Sequence, residues 1–473
     1  VSAAEQPRSS STEPAGGEPV VLTRGGDTDT EADAPTITVD HSIRAEYTST
    51  RRFRTFDALI EVPEFRWYLL SMMGNWSGMQ MQQVVRGLLA YQITGSFAAL
   101  GGVALANALP RLFLALAGGV LADRASRRLV LQVGQSASAL ITAAIAVLLF
   151  SDLLRIEHLY IAAALQGVAM SFSMPARQAM IPDIVGEARL TNAIGLNASG
   201  MNTMRLLAPA TAGFVVAFVG FGWAYVLMAV LFTLAVLGMF RVPARRPAAS
   251  GDARAATAVP ATRGRRGAGT RGGVKDMMEG FRYLGRNPVL RMLLIVHLFV
   301  VILTLTFQRL APGFVSEVLA DGEEQAAWRL GVILTVMGGG ALLGSLVIAS
   351  LPSRGRGRLL IGSIAIFGIT LLGFAISESF WVSIGIVFIL GIGQAGRQSL
   401  SQILIQTHTE NEYRGRISSI MMMEMGLESF GTFAIALVAA AFGAQVAFGG
   451  VGIALLLLAL VVALTLPAYR RLE

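Results

Sequence analysis

About twelve apolar stretches, each long enough to cross a bilayer as a helix, recur along this chain, and no other feature limits its fold so tightly. They lie near 66–90, 98–121, 129–150, 159–181, 193–219 and 222–240, then near 289–312, 329–351, 358–377, 380–404, 417–441 and 447–467. A hydrocarbon core of about 30 Å takes about 20 helical residues to cross. Inside it every backbone amide and carbonyl must find its partner within the segment. The expected class is an all-α membrane protein of twelve transmembrane helices. Hydrophobic residues make up 54% of the chain and charged residues 14%, with a mean hydropathy of +0.60, a balance unlike that of a soluble protein.

Arginine placement sets the expected orientation. Arg124, Arg127, Arg128, Arg189, the 241–291 stretch, Arg354, Arg356, Arg358, Arg414 and Arg416 fall in one set of connections. The alternate set holds little beyond Arg155, and its 313–328 member is acidic. Basic loops stay on the cytoplasmic side, so both termini are expected there, in a multi-pass protein of the cytoplasmic membrane. The net charge of +8 is thereby accounted for by membrane anchoring, without nucleic acid. Residues 1–52 read as a disordered tail, polar and without the apolar core of a signal peptide. Residues 53–240 and 289–467 read as two six-helix bundles, joined by a Pro/Ala/Gly/Arg linker at 241–288, with 468–473 as a cytoplasmic end. Phe53–Trp67 is expected to lie at the interface as a lead-in helix, and Lys275–Leu284 to lie on the membrane surface.

Between the second and third apolar stretches runs Gly119-Val120-Leu121-Ala122-Asp123-Arg124-Ala125-Ser126-Arg127-Arg128. Glycine allows two helices to approach, and the charges require a water-facing bend. The string resembles the loop signature G-x-L-A-D-R-x-G-R-R of the major facilitator superfamily, with Ser126 where the family has glycine. A fainter echo without the aspartate follows the eighth stretch, Gly344 through Arg358. The resemblance implies two six-helix bundles around a central path and transport by alternating access. It also implies a cytoplasmic gate built from Gly119, Asp123, Arg124, Arg127, Arg128 and Asp183. Arg127 is expected to pair with Asp183, and Asp123 to sit at the start of the eleventh span, in contacts that break as the bundles rock. On that basis Asp123→Asn should impair turnover without preventing membrane insertion.

Further strings narrow the likeness: Tyr91-Gln92-Ile93-Thr94-Gly95-Ser96, Pro175-Ala176-Arg177, Asn202 through Pro209, and Arg414-Gly415-Arg416-Ile417-Ser418-Ser419. They resemble the bacterial efflux branch that contains enterobactin-type siderophore exporters and macrolide pumps. Pro209 and Gly213 match part of an antiporter signature, with Ala208 and Ala212 replacing glycines. Ala163 stands where proton-coupled drug exporters of the family carry an arginine, a departure that counts against the usual coupling scheme.

Charged groups at membrane depth cost roughly 2.5–3.5 kcal/mol each on insertion scales and call for partners or water. Glu424 and Glu428 share one helix face. Two readings stand: a proton-coupling pair, since neighbouring carboxylates resist joint ionisation, or a structural pair neutralised by Arg111 or Arg205. Arg205 also offers a charge for an anionic substrate. Asn75, Gln80, Gln83 and Arg86 on the first span, with Gln394, Arg397, Gln398 and Gln402 on the tenth, are the expected substrate path, Trp76 lying beside it. His297 reads as a packing residue, and Met421, Met422, Met423 and Met425 as core or lipid contacts. No metal cluster, nucleotide loop or nucleophile with a base is present, cysteine is absent, and neither a cofactor nor enzymatic catalysis is expected. The expected activity is secondary export of an amphiphilic small molecule such as a drug, macrolide or siderophore, by a monomer exchanging protons. A lipid or lysolipid flippase and a non-transporting sensor or scaffold are the alternatives.

Overall fold

The computed structural model describes residues 56–124, 126–186, 189–243, 270–351, 355–410, 412–470 and 472. At 115–124, 175, 178–179, 270–277, 414–415, 418–419, 422–425 and 467–468 it describes the backbone alone. Among the described residues the regular structure is helical, without a strand. The long helices of the first half are α1 Pro63–Thr94, α2 Phe97–Arg124, α3 Arg127–Phe150, α4 Ile156–Val185, α5 Leu190–Val219 and α6 Phe221–Phe240. Those of the second half are α7 Pro288–Val318, α8 Glu323–Ser350, α9 Arg356–Ile376, α10 Phe380–Thr407, α11 Arg414–Phe442 and α12 Ala444–Thr465. Each coincides with one of the apolar stretches.

Nine of the described helices are both long and apolar enough to cross a membrane. The other three, α1, α4 and α11, have the length, at 32, 30 and 29 residues. Their apolar runs are broken by polar side chains: Gln80, Gln82 and Gln83 in α1, Gln166 and Arg177 in α4, Glu424 and Glu428 in α11. Around the outside, bulky apolar groups such as Phe113, Leu140, Phe218, Trp381 and Leu464 stand exposed. Apolar surface on this scale belongs against lipid. The chain is a multi-pass membrane protein.

Local chemistry fixes several helix ends. Asn287 caps α7, its Oδ1 accepting from the Leu290 amide at 3.1 Å, with Pro288 at the first helical position. The α5–α6 and α11–α12 connections are single glycines, Gly220 with φ 92° and ψ 170° and Gly443 with φ 90° and ψ 159°. That backbone region is essentially closed to residues with a Cβ. The same turn thus recurs at the same place in both halves.

Packing repeats in the same way. In the first half α1 lies against α5 and α6, α2 against α4, and α3 against α4 and α6. The second half pairs α7 with α11 and α12, α8 with α10, and α9 with α10 and α12. The halves meet along α2–α11 and α5–α8, and more lightly along α1–α7. This is a duplicated six-helix unit.

The linker helix Thr270–Arg286 brackets the amphipathic stretch expected on the membrane surface, but it leans on α11, α7 and α2. Glu279 pairs with Arg416 at 2.8 Å, and the Tyr283 and Tyr413 rings stack 4.0 Å apart. The lead-in segment forms a short helix, Asp57–Glu61, separated from α1 by Val62. The tail 1–52 and most of the linker lie outside the described residues.

Candidate functional site: a cavity between the two halves

A cavity of about 310 Å³ lies between α1 and α5 of the first half and α7, α8 and α10 of the second. Its polar wall is built almost wholly from amides: Gln80, Gln83, Asn202, Gln308, Gln394, Gln398 and Gln402. Arg205 is the one charged side chain among the described residues that line it. Pro209, Pro312, Met337 and Leu342 supply apolar surface. The size falls within the roughly 300–1,000 Å³ usual for small-molecule sites. Lining residues run from mid-helix toward the end that carries the basic loops, reaching Ser345 and Gln402 near the ends of α8 and α10. A second hollow shares Ser345 and Ser399 with the cavity and is lined by Arg356.

Toward the opposite end the halves are shut by close backbone approach. A Cβ at Gly213 on α5 would stand 2.5 Å from the Ala327 carbonyl oxygen and 2.8 Å from Gly331 Cα on α8. At the corresponding α2–α11 contact, a Cβ at Gly101 would meet Ala436 Cβ at 2.5 Å. Tyr91 on α1 donates to Glu317 Oε2 on α7 at 3.2 Å, joining the halves at the same end. Pro209 and Gly213, singled out as antiporter-like, therefore sit where α5 crosses α8, with Pro209 also on the cavity wall.

A second polar group lies on the α1–α2–α7–α11 side. Glu428, 6% exposed, has a carboxylate oxygen 3.7 Å from Arg309 Nε. Arg111 acts electrostatically on both Glu428 and Arg309, and Arg86 lies within electrostatic reach of Arg111 and Arg309. Arg111 donates to Asn107 Oδ1 at 3.1 Å, and Asn107 Nδ2 donates to the Ala163 carbonyl at 2.9 Å. Ala163 is fully buried, a packing contact between α4 and α2. Arg86 Nη1 and Tyr225 Oη are buried without hydrogen-bond partners among the described residues. Two guanidiniums thus act on one described carboxylate, Arg309 of the second half and Arg111 of the first, with Arg86 within reach of both cations.

Several expected positions fall elsewhere. Arg309, which sequence reading missed, is the cation at ion-pair distance from Glu428; Arg205 is on the cavity wall instead. The side chain of Glu424 lies outside the described residues, as do those of Asp123, Arg124, Met422, Met423 and Met425, and Gly119 is described by its backbone alone. Of the expected path, Gln80, Gln83, Gln394, Gln398 and Gln402 line the cavity. Asn75, Arg86 and Arg397 do not: all three are buried, and Asn75 donates along its own helix to Met79 Sδ at 3.3 Å. Trp76 carries the Arg177 guanidinium 5.8 Å over its ring. His297 is buried within α7, and Met421 is partly buried. Asn202, named above only within a family-like string, and Gln308, not named there, also line the cavity, and both are amides in apolar runs.

Arg127 and Asp183 form an ion pair of 2.5 Å. Both belong to the first half, so the pair braces α3 against α4, and rocking of the halves does not separate it. Arg128 leaves the loop to lie 5.7 Å over the Phe240 ring of α6. The Arg127–Asp183 pair is the one expected, and both of these contacts lie within the first half. The first half has its own amide network, in which Gln166 donates to Ser138 at 2.9 Å and Gln82 to Thr142 at 3.4 Å.

Comparison with known proteins agrees with this architecture. The Major Facilitator Superfamily profile matches residues 68–423 and 310–473. The chain is 24% identical over 396 residues to the Staphyloferrin A transporter of Staphylococcus aureus (strain NCTC 8325 / PS 47), covering 83% of this chain and 92% of that one. It is 25% identical over 392 residues to the multidrug efflux pump Tap of Mycolicibacterium fortuitum, covering 81% and 91%. The nucleoside transporter NupG shares the fold with a TM-score of 0.66 at 13% identity, over 87% of this chain and 99% of that one. The chain belongs to the major facilitator superfamily.

Proposed function

We propose that this protein exports an amphiphilic small molecule across the cytoplasmic membrane by alternating access, driven by inward proton movement, and works as a monomer with both termini cytoplasmic. The observation that carries the reading is the cavity itself. It is walled by both halves, reaches toward the basic-loop end and is shut at the other. Its amides with apolar surface suit a molecule that is neither fully polar nor fully greasy. The likeness to a staphyloferrin A transporter and a multidrug efflux pump supports a siderophore-like or drug-like cargo.

Glu428 is the proton carrier in this reading. Its charge stands between Arg309 of the second half and Arg111 of the first. Protonation removes that shared counter-charge, so repulsion across the α1–α2 and α7–α11 boundary favours separation of the halves. Glu428→Gln imitates the protonated form.

The cavity draws no described lining residue from α2 or α11, the pair between which a lipid would enter. A non-transporting scaffold has no use for an amide-lined cavity closed at one end. The test is uptake of a panel of dyes, macrolides and siderophores by everted membrane vesicles. Accumulation that collapses with the pH gradient and fails in Glu428→Gln supports the proposal; no gradient-dependent accumulation across the panel refutes it.

A further inference from the structure

We propose that the cargo is an anion, in the first instance an oligocarboxylate bearing hydroxyl or amide groups, held by Arg205 and the amides around it. The inference rests on the cavity being the transport site. Arg205 is the sole charged group on the described cavity wall, and it has neither a carboxylate partner nor a hydrogen bond among the described residues. Arg205 is exposed to the cavity, where water can solvate its guanidinium. The described wall offers no carboxylate, so an anionic ligand gains a charge-assisted pair there without having to displace one. The planar fork of arginine fits a carboxylate or phosphate in two parallel hydrogen bonds.

The surroundings extend the argument. Gln80 and Gln83 from one half face Gln308, Gln394 and Gln398 from the other. Amides donate to carboxylate oxygens and accept from hydroxyls, so a ligand touching both halves is rich in oxygen and has several points of attachment. Arg356 stands in the adjoining hollow toward the basic-loop end, a second cation on the path inward. Well inside the twelve long helices lie six arginines, Arg86, Arg111, Arg177, Arg205, Arg309 and Arg397, against two glutamates, Glu424 and Glu428. That excess makes the interior potential positive and concentrates anions. A cationic drug would meet no carboxylate on the described wall.

The test uses the purified full chain in phosphatidylcholine nanodiscs, titrated calorimetrically with citrate, its neutral trimethyl ester and the cation rhodamine 6G. The expected result is citrate binding at least tenfold tighter than the ester, a tenfold or greater loss in Arg205→Gln, and partial recovery in Arg205→Lys. Ester binding should not change in Arg205→Gln, which shows that the variant keeps its fold. Equal binding of citrate and ester, preference for rhodamine, or citrate binding indifferent to Arg205→Gln overturns the inference. Repeating the titration in phosphatidylglycerol nanodiscs at fixed ionic strength separates the sources of the anion. Unaltered citrate binding supports a soluble cargo, and its displacement assigns the site to a lipid headgroup and overturns the oligocarboxylate. Counterflow of labelled citrate in proteoliposomes separates this inference from the export reading. Binding without movement supports the anion site and sinks export. Rhodamine transport insensitive to Arg205→Gln supports export and sinks the anion.

Discussion

Replacing Gly213 by alanine should force the closed end of the molecule open. The added Cβ would lie 2.5 Å from the Ala327 carbonyl oxygen, a backbone atom that cannot swing aside. A comfortable carbon-to-oxygen contact is about 3.3–3.6 Å, so α5 and α8 must part by about 1 Å at this level. Overpacking of this kind costs about 1–3 kcal/mol. The penalty applies only to the conformer in which these helices touch. With about 1.4 kcal/mol per factor of ten, the opposite conformer gains roughly fivefold to 150-fold in relative population. The chain has no cysteine, so Gln398→Cys is a unique reporter on the cavity wall. Its alkylation by a membrane-impermeant maleimide, applied separately to each face, reads the exposure of the cavity. In the parent, reaction should come mainly from the basic-loop face; Gly213→Ala should raise the rate from the other face by the stated factor. Gly101→Ala, wedged against Ala436 Cβ at 2.5 Å, should act in the same direction. Unchanged face preference in both variants would refute the view that this end is a closed gate.

The charge group gives a second expectation. Arg309→Gln removes the cation 3.7 Å from the buried Glu428 but leaves Arg111, and should cost less than the about 3–5 kcal/mol of a buried charge with no counter-charge, whereas Arg309→Gln with Glu428→Gln should recover a large part, read by thermal unfolding in detergent. Gly220→Ala and Gly443→Ala place a Cβ at φ 92° and φ 90° and should each cost about 1–3 kcal/mol in the same assay; no loss at either would contradict the turn geometry. Glu279→Gln breaks a partly exposed pair with Arg416 and should change stability by about 0–1 kcal/mol. Tyr283→Ala, which removes the ring stacked on Tyr413, should cost more than Glu279→Gln, and the reverse order would contradict docking of the linker helix through its aromatic face.

The long helices were legible because a bilayer demands about 20 consecutive apolar residues, a signal that few soluble folds imitate. The glutamine stripe at 394, 398 and 402 was legible for a similar reason: positions four apart share a helix face. Arg397 was misplaced by the same geometry, since it points about 100° around the helix from Gln398. On α1, Gln80 and Gln83 share a face, while Asn75 and Arg86 drift off it into the packed interior. The apolar run around Arg309 ends near residue 312, whereas α7 continues to Val318 and carries Arg309 deeper than the run implies. Which cation meets Glu428 is a question of contact between α7 and α11, distant in sequence, and no local pattern encodes it. The single-glycine turns at 220 and 443 were present in the letters, but their shared role shows only when the two halves are laid side by side.

The most direct measurement of the central claim uses purified protein in liposomes, with substrate flux and internal pH followed together. The account predicts protons moving against the substrate, in proportion to it, with this coupling lost in Glu428→Gln while substrate binding persists. Substrate movement without proton movement, or coupled movement that survives Glu428→Gln unaltered, would contradict it.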